Sequence, residues 1–210
     1  MGLRIHPLVV MLALGGCGRS SILVAADNDD DMCSADGESV FARVVLGYDP
    51  IAGGGAVPEL SDVMEPRAAL GPPELATPPL GAVSLGDGGT LTVGFAPCVI
   101  TSDGSPGGDV IIYEQGYAER VTIALLPTTR AVTWLGEAVG DDGWVAIDAY
   151  PDSDDAIDLD AELGALPREA LRFEAIRLRD VPGQGEVTPD TPGADIDAIE
   201  APEGRLADPM

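Results

Sequence analysis

Acidic residues around a glycine-rich stretch are the part of this sequence best suited to chemistry. Asp103, Asp109 and Glu114 lie in or just after the run from Thr101 to Gly108, which contains three glycines and a proline. A calcium ion takes six to eight oxygen ligands at about 2.3–2.6 Å, and a bent loop offers carboxylates together with carbonyls. We therefore expect a structural calcium ion at this loop, with Asp103, Asp109 and Glu114 among its ligands.

Two aspartates near the C-terminus are further candidate ligands for the same ion. Asp195 and Asp197 are two residues apart in a segment with strand character, and alternate residues of a strand point to one face. Both carboxylates could therefore reach one cation. The alternative is that Asp103 and Asp109 cap turns through their own backbone and that the other acids are solvated. The acidic run 152–160 resembles a calcium-attracting loop, but a solvated loop is the simpler interpretation.

Catalysis has little support among the residues expected to remain after export. The one histidine, His6, lies in a segment that we expect to be removed. Without it, Ser-His-Asp and Cys-His catalysis and histidine-ligated zinc are excluded. Paired carboxylates can hydrolyse glycosides, but among 36 acidic residues some pair always lies at a suitable separation. We expect a binding protein and not an enzyme, with a carboxylate-only glycoside hydrolase as the remote alternative.

The two tryptophans are the candidates for stacking on a sugar ring. Trp144 follows Asp141, Asp142 and Gly143 and so lies at the edge of a turn, where an aromatic ring can face a ligand. We take Trp144 as the candidate ligand-binding residue. Trp134 lies in a segment with strand character and is expected in the core.

The first seventeen residues predict export and lipid attachment. Arg4 precedes an apolar run from Pro7 to Leu14, and small residues lead from there to Cys17. A basic start, a short apolar stretch and small residues at its end are typical of a secretory signal. The apolar run is too short to cross a hydrocarbon core of about 30 Å. The ending Leu-Gly-Gly-Cys resembles a bacterial lipobox, which implies cleavage before Cys17 and diacylglycerol on its sulfur. A plain secretory signal with an incidental cysteine is the alternative.

Residues 1–16 are therefore expected to form a lipoprotein signal peptide, and residues 17–38 a flexible acidic tether. Gly18, where an acidic residue is absent, favours the outer membrane or the cell surface. Cys33 and Cys98 are an even pair in an oxidising compartment, where a disulfide can persist. Because Cys33 lies in the tether, a bridge and two free thiols both stay open.

The charge of the chain limits its partners. Removal of residues 1–16 would leave 36 acidic residues against ten arginines. Such a chain will not bind nucleic acid by neutralising phosphates, nor lie flat on an anionic leaflet. It attracts cations, although solubility alone also explains the charge. We expect membrane attachment through the lipid and a cell-surface module that binds a carbohydrate or matrix ligand. The alternative is a purely structural or protein-interaction component of the cell envelope, with an envelope protein as its partner.

The elements that would position these residues are short strands separated by glycine, proline and aspartate turns. Thr90–Phe95 alternates apolar and polar residues, as a half-buried strand does. Asp109–Tyr113 is apolar on both faces and suits a central strand, whereas Val83–Leu85 and Leu91–Phe95 predict a hairpin. Other segments with strand character are Ser39–Leu46, Arg120–Leu126, Ala131–Gly136, Trp144–Ala149, Leu171–Asp180 and Asp195–Glu200. The pattern predicts an all-β fold, a single β-sandwich or jelly roll over residues 39–201, with a disordered tail at 202–210.

Four segments together resemble a family of bacterial cell-surface lipoproteins common in myxobacteria and their relatives. The segments are Ala68–Glu74, Val83–Phe95, Gly107–Glu114 and Ala194–Ile199. The family's pattern has an aromatic residue where this chain has Val110, and an asparagine where it has Gln115. The resemblance covers roughly residues 40–200 and implies a jelly-roll domain similar to galactose-binding-like and discoidin-type modules. It further implies a structural calcium ion and binding of sugars or surfaces through the loops.

Overall fold

The computed structural model describes residues 24–25, 33, 39–74, 81–102, 104–116, 119–147, 156–164, 166–183, 190–202 and 204–206. Strands dominate these residues. They are β1 (Val24–Ala25), β2 (Val40–Phe41), β3 (Val44–Asp49), β4 (Val83–Ser84), β5 (Thr90–Gly94), β6 (Cys98–Thr101), β7 (Val110–Glu114), β8 (Val121–Pro127), β9 (Val145–Ile147), β10 (Ala156–Ile157), β11 (Arg172–Asp180), β12 (Asp195–Ala201) and β13 (Arg205–Leu206). Two short helices, α1 (Thr129–Leu135) and α2 (Leu159–Leu163), and four 3-10 turns (Ser61–Met64, Pro66–Ala69, Gly136–Ala138 and Arg168–Ala170) complete the described elements.

The larger sheet is built around β11. This strand pairs antiparallel with β5 along one edge and with β8 along the other. The sheet continues from β5 to β3 and β1, and from β8 to β9. Strand β6 pairs with the start of β11, and β13 pairs with β6.

The smaller sheet is built around β12. Strand β12 pairs with β7 on one side and with β2 and β4 on the other. Strand β10 pairs with the outer edge of β7, so β7 is an interior strand as its apolar sequence predicts. These pairings are all antiparallel.

One apolar core joins the two sheets. Along β8 the residues alternate strictly between buried and partly buried positions, with Val121, Ile123 and Leu125 facing inward. The same cluster contains inward residues of β5 and β11 from the larger sheet and of β7 and β12 from the smaller one. The alternation arises because successive strand residues point to opposite faces. The protein is therefore an all-β sandwich, which confirms the predicted fold class.

Two predicted elements are wrong. The segment Ala131–Gly136, predicted as a strand, lies mostly in helix α1, because the Thr128 hydroxyl oxygen caps the helix by accepting from the Ala131 N–H at 3.2 Å. The predicted hairpin is absent, since β4 pairs with β12 whereas β5 pairs with β3 and β11. The turn Gly86–Gly89 carries the chain from the smaller sheet to the larger one instead of folding it back on itself.

Two short described strands and one described cysteine lie outside residues 39–201. Strand β1 lies within the predicted tether and pairs with β3, and Cys33 is bonded to Cys98 of β6 with 5.6 Å between their Cα atoms. At the other end, β13 lies within the predicted disordered tail and pairs with β6. These described residues are therefore attached to the larger sheet by strand pairing and by a disulfide bond. Cys17 and the predicted signal peptide lie outside the described residues.

Candidate cation site

Three aspartates come together where β10 leads into α2 beside the start of β7. Strand β10 pairs with β7 by matching Ile157 to Val110, and the Asp109 N–H donates to the Ile157 carbonyl at 2.7 Å. Asp158 then caps α2 by accepting from the Ala161 N–H at 3.0 Å. The helix starts so close to β7 that Asp109 Oδ2 accepts from the Leu159 N–H at 2.8 Å.

The carboxylates of Asp109, Asp158 and Asp160 converge on one point. Each offers an oxygen, and these oxygens all lie within 4.8 Å of one another. Asp109 is only 1 % exposed, whereas Asp158 and Asp160 are partly exposed. The Ser102 hydroxyl donates to Asp160 Oδ2, which links the cluster to the glycine-rich loop after β6.

The spacing and the ligand chemistry fit a calcium ion. Two oxygens bound to one calcium at 2.3–2.6 Å lie at most about 5 Å apart, which matches the separation in this cluster. Three carboxylates around one point are hard ligands and carry three negative charges when ionised, so they favour a divalent cation over a soft metal. Asp109 supplies the rigid, buried ligand, and the other two remain open to an arriving ion.

The structure does not bring the five predicted ligands together. Asp109 lies before the first residue of β7, while Glu114 is the last residue of that strand. Glu114 is level with Ile196 of β12, so Asp195 and Asp197 lie at that same far end. At about 3.3 Å per residue, the six residues from Asp109 to Gln115 span about 20 Å. One ion cannot contact both ends, and Asp103 lies outside the described residues.

A second acidic group surrounds the far end of β7. Both carboxylate oxygens of Glu114 accept from the Glu119 N–H, at 3.1 and 3.2 Å. Burial, and to a smaller extent the charge of neighbouring carboxylates, raises the pKa of Glu114 to about 8 and that of Glu119 to about 7. Burial also raises the pKa of Asp180, which accepts from the Gly88 and Ala194 N–H groups at 2.8 and 3.1 Å. This end of the sandwich therefore concentrates acids that are costly to ionise.

The surroundings of both tryptophans differ from those predicted. The guanidinium of Arg177 lies 4.0 Å from the centre of the Trp144 ring and covers one face of it. Asp142 contacts both residues of this pair. Its carboxylate accepts from the backbone N–H of Trp144 at 3.2 Å and forms an ion pair with Arg177 at 3.3 Å. Trp134, predicted in the core, is 53 % exposed, because the segment is a helix and turns this residue outward. Trp134 is thus the more accessible ring for a ligand.

Asp158 and Asp160 are candidate ligands that the sequence pattern did not indicate. They belong to the acidic run 152–160, for which the pattern favours a solvated loop. A capping aspartate followed two residues later by another is a signal that this end of the run begins a helix. Nothing in the sequence shows that this helix starts beside Asp109.

The chain matches none of the protein-family models, curated proteins or solved structures with which it was compared. Among the residues that the structure describes, no helix combines the length and the apolar character needed to cross a membrane.

Proposed function

We propose that the protein is a lipid-anchored binding module of the bacterial cell surface, with a structural calcium ion at Asp109, Asp158 and Asp160. The observation that carries the cation is the convergence of three carboxylate oxygens within 4.8 Å, one of them on a side chain that is 1 % exposed. Bringing like charges this close is unfavourable unless a cation or a proton offsets it. The sandwich would belong to the jelly-roll class of galactose-binding-like modules.

The anchor is supported by the sequence of the first seventeen residues. Cleavage before Cys17 would leave a lipidated thioether there, and two or more acyl chains give stable attachment to the outer membrane. Mass spectrometry of protein from the native host tests this: the expected first residue is Cys17, carrying diacylglycerol and commonly an N-acyl chain. An N-terminal methionine followed by an unmodified Cys17 would contradict the anchor.

The ligand that we propose is a glycan or matrix polymer. Trp134 offers an exposed ring, and aromatic rings stack on the apolar faces of sugars. Val132 of the same helix is also 41 % exposed, which favours the alternative of a contact with an envelope protein. In either case the proposed role is binding and not catalysis, because the one histidine would leave with the signal peptide.

Calorimetric titration with CaCl2 tests the cation site. We expect wild-type protein to bind calcium at this cluster, Asp109→Asn to bind that ion at least roughly tenfold more weakly, and Glu162→Gln to bind like wild type. Glu162 is a matched control because it is an exposed acid on α2 outside the cluster. Equal binding by Asp109→Asn and wild type would contradict the site.

A glycan array, read with Trp134→Ala and Trp144→Ala beside wild type, tests the ligand. Binding that is lost in Trp134→Ala alone supports the sugar interpretation. An empty array combined with specific capture of purified envelope protein would favour the protein contact instead.

A further inference from the structure

Two buried oxygen atoms lack a hydrogen-bond donor at the far end of β7. Among the described side chains these atoms are Oε1 of Gln115 and Oδ1 of Asp195. Gln115 is only 9 % exposed, so bulk solvent does not satisfy its oxygen. A buried acceptor without a partner costs about 1–3 kcal/mol. Each of these two atoms therefore calls for a binding partner.

The register of β7 and β12 places these two side chains side by side. Glu114 lies opposite Ile196, so Gln115, the next residue, lies opposite Asp195. The Gln115 N–H donates to the Asp195 carbonyl at 2.8 Å, as this register requires. Directly opposed residues of an antiparallel pair project from the same face, with their Cβ atoms about 4.5–5.5 Å apart.

Hydrogen bonds to Glu74 orient the Gln115 amide and add a third side chain. Gln115 Nε2 donates to the Glu74 carbonyl at 3.4 Å, and because a carbonyl only accepts, the amide oxygen must face the other way. The Glu74 N–H donates to Asp197 Oδ1 at 3.1 Å. Gln115 and Asp197 are thus held by the same backbone residue, and Asp197 is 5 % exposed.

These groups call for a positively charged partner. The unsatisfied atoms are both acceptors, and two carboxylates, those of Asp195 and Asp197, contribute negative charge. A water molecule could donate two hydrogen bonds here but would leave this charge unbalanced, whereas a divalent cation answers both needs.

We propose that Gln115, Asp195 and Asp197 bind a second divalent cation of the calcium class. Amide and carboxylate oxygens are the ligands that a hard ion prefers, and the Glu74 carbonyl lies beside them as a further oxygen. The site lies about 20 Å along β7 from the Asp109 cluster, so the two sites are independent. A cation here would tie β7 and β12 to the chain around Glu74.

Calorimetric titration of the full chain with CaCl2 tests this site through its stoichiometry. With both sites present we expect two equivalents for wild type and one for Asp160→Asn. Adding Gln115→Met to Asp160→Asn removes the amide oxygen at nearly constant volume and should weaken the remaining equivalent by roughly 10- to 100-fold. Glu137→Gln, an exposed acid on the turn after α1, is the control and should leave the titration unchanged.

The outcomes separate the second site from the first. If the Asp109 cluster binds nothing, wild type takes up one equivalent, Asp160→Asn keeps it and Gln115→Met weakens it. If Gln115→Met binds calcium as tightly and with the same stoichiometry as wild type, the unpartnered oxygens of Gln115 and Asp195 bind water and the proposal is overturned.

Asp197→Asn provides a nearly isosteric second variant in case Gln115→Met disturbs folding. It keeps an oxygen for the Glu74 N–H and removes only the charge, so its melting temperature in EDTA should equal or exceed that of wild type. The same variant should lose the second equivalent. Retention of that equivalent in folded Asp197→Asn would overturn the proposal.

Discussion

Replacing Asp160 by asparagine should stabilise the protein without calcium and destabilise it with calcium. Asparagine keeps a carbonyl oxygen that can accept from Ser102, so the contact with the glycine-rich loop survives. What changes is the charge within 4.8 Å of the carboxylates of Asp109 and Asp158. The sign of the effect therefore depends on whether a cation is bound between them.

The magnitude follows from the spacing. Two unit charges 4.8 Å apart repel by about 1 kcal/mol in a water-like dielectric and by about 3.5 kcal/mol at an effective dielectric constant near 20. Asp158 and Asp160 are partly exposed, so the lower value applies, and loss of two pairs should relieve about 2 kcal/mol. For a domain of this size that corresponds to a rise in Tm of about 4–8 °C in EDTA. Calcium at a thousand times its Kd stabilises wild type by about 4.1 kcal/mol, so the order of the two proteins then reverses.

This reversal in the order of the melting temperatures is measured by thermal melts of wild type, Asp160→Asn and Glu162→Gln, each in EDTA and in excess CaCl2. Glu162→Gln changes the same charge on the same helix and should keep the calcium response. The reasoning is refuted if the wild-type Tm is indifferent to calcium. It is refuted equally if Asp160→Asn lowers the Tm by the same amount in both conditions.

Three further outcomes follow from the structure. Cys33→Ala/Cys98→Ala should lose about 4 kcal/mol of stability in chemical denaturation, because the bridge closes a loop between residues 65 positions apart; an unchanged midpoint would contradict this. In EDTA, the free energy of unfolding should fall as pH rises from about 5 to about 7. Burial raises the pKa of Glu119 to about 7 in the folded protein, so over this range the folded protein keeps a proton on Glu119 that the unfolded chain has released. After allowance for solvent screening the loss from Glu119 is on the order of 1 kcal/mol. Glu119→Gln should make the profile less steep without flattening it, because burial also raises the pKa of Glu114, to about 8. A rise in stability over this range would contradict the assignment. Trp134→Ala should leave the free energy of unfolding within about 0.5 kcal/mol of wild type, because its ring is 53 % exposed; a loss above 2 kcal/mol would show that the ring packs.

The alternation of apolar residues predicted the fold class and most of the long strands. Segments such as Thr90–Phe95 and Leu171–Asp180 appear as β5 and β11 within a residue or two. A half-buried strand alternates apolar and polar residues, and this two-residue period is visible in the sequence. The pairing of strands was less predictable. Strands β4 and β5 flank a glycine turn yet belong to different sheets, since a turn motif does not specify whether the chain folds back or crosses over.

The acidic residues of the candidate sites were visible in the sequence, but their grouping was not. Asp109 and Glu114 are five positions apart and were assigned to one ion, whereas an extended strand holds them at opposite ends. Asp158 reaches Asp109 only because β10 pairs with β7 in a particular register. Such contacts join residues about fifty positions apart in the chain, and sequence spacing carries no information about them.

Composition and local pattern by themselves determined that this is an acidic, all-β chain, and they predict that it is exported and rich in oxygen ligands. Those properties depend on residue type and on the two-residue period of a strand, which short-range physics fixes. Tertiary structure alone decided which carboxylates lie close together and which tryptophan is exposed to solvent. It also decided that Gln115 lies opposite Asp195. Sheet register decides these matters, because a shift of one residue turns every side chain to the other face.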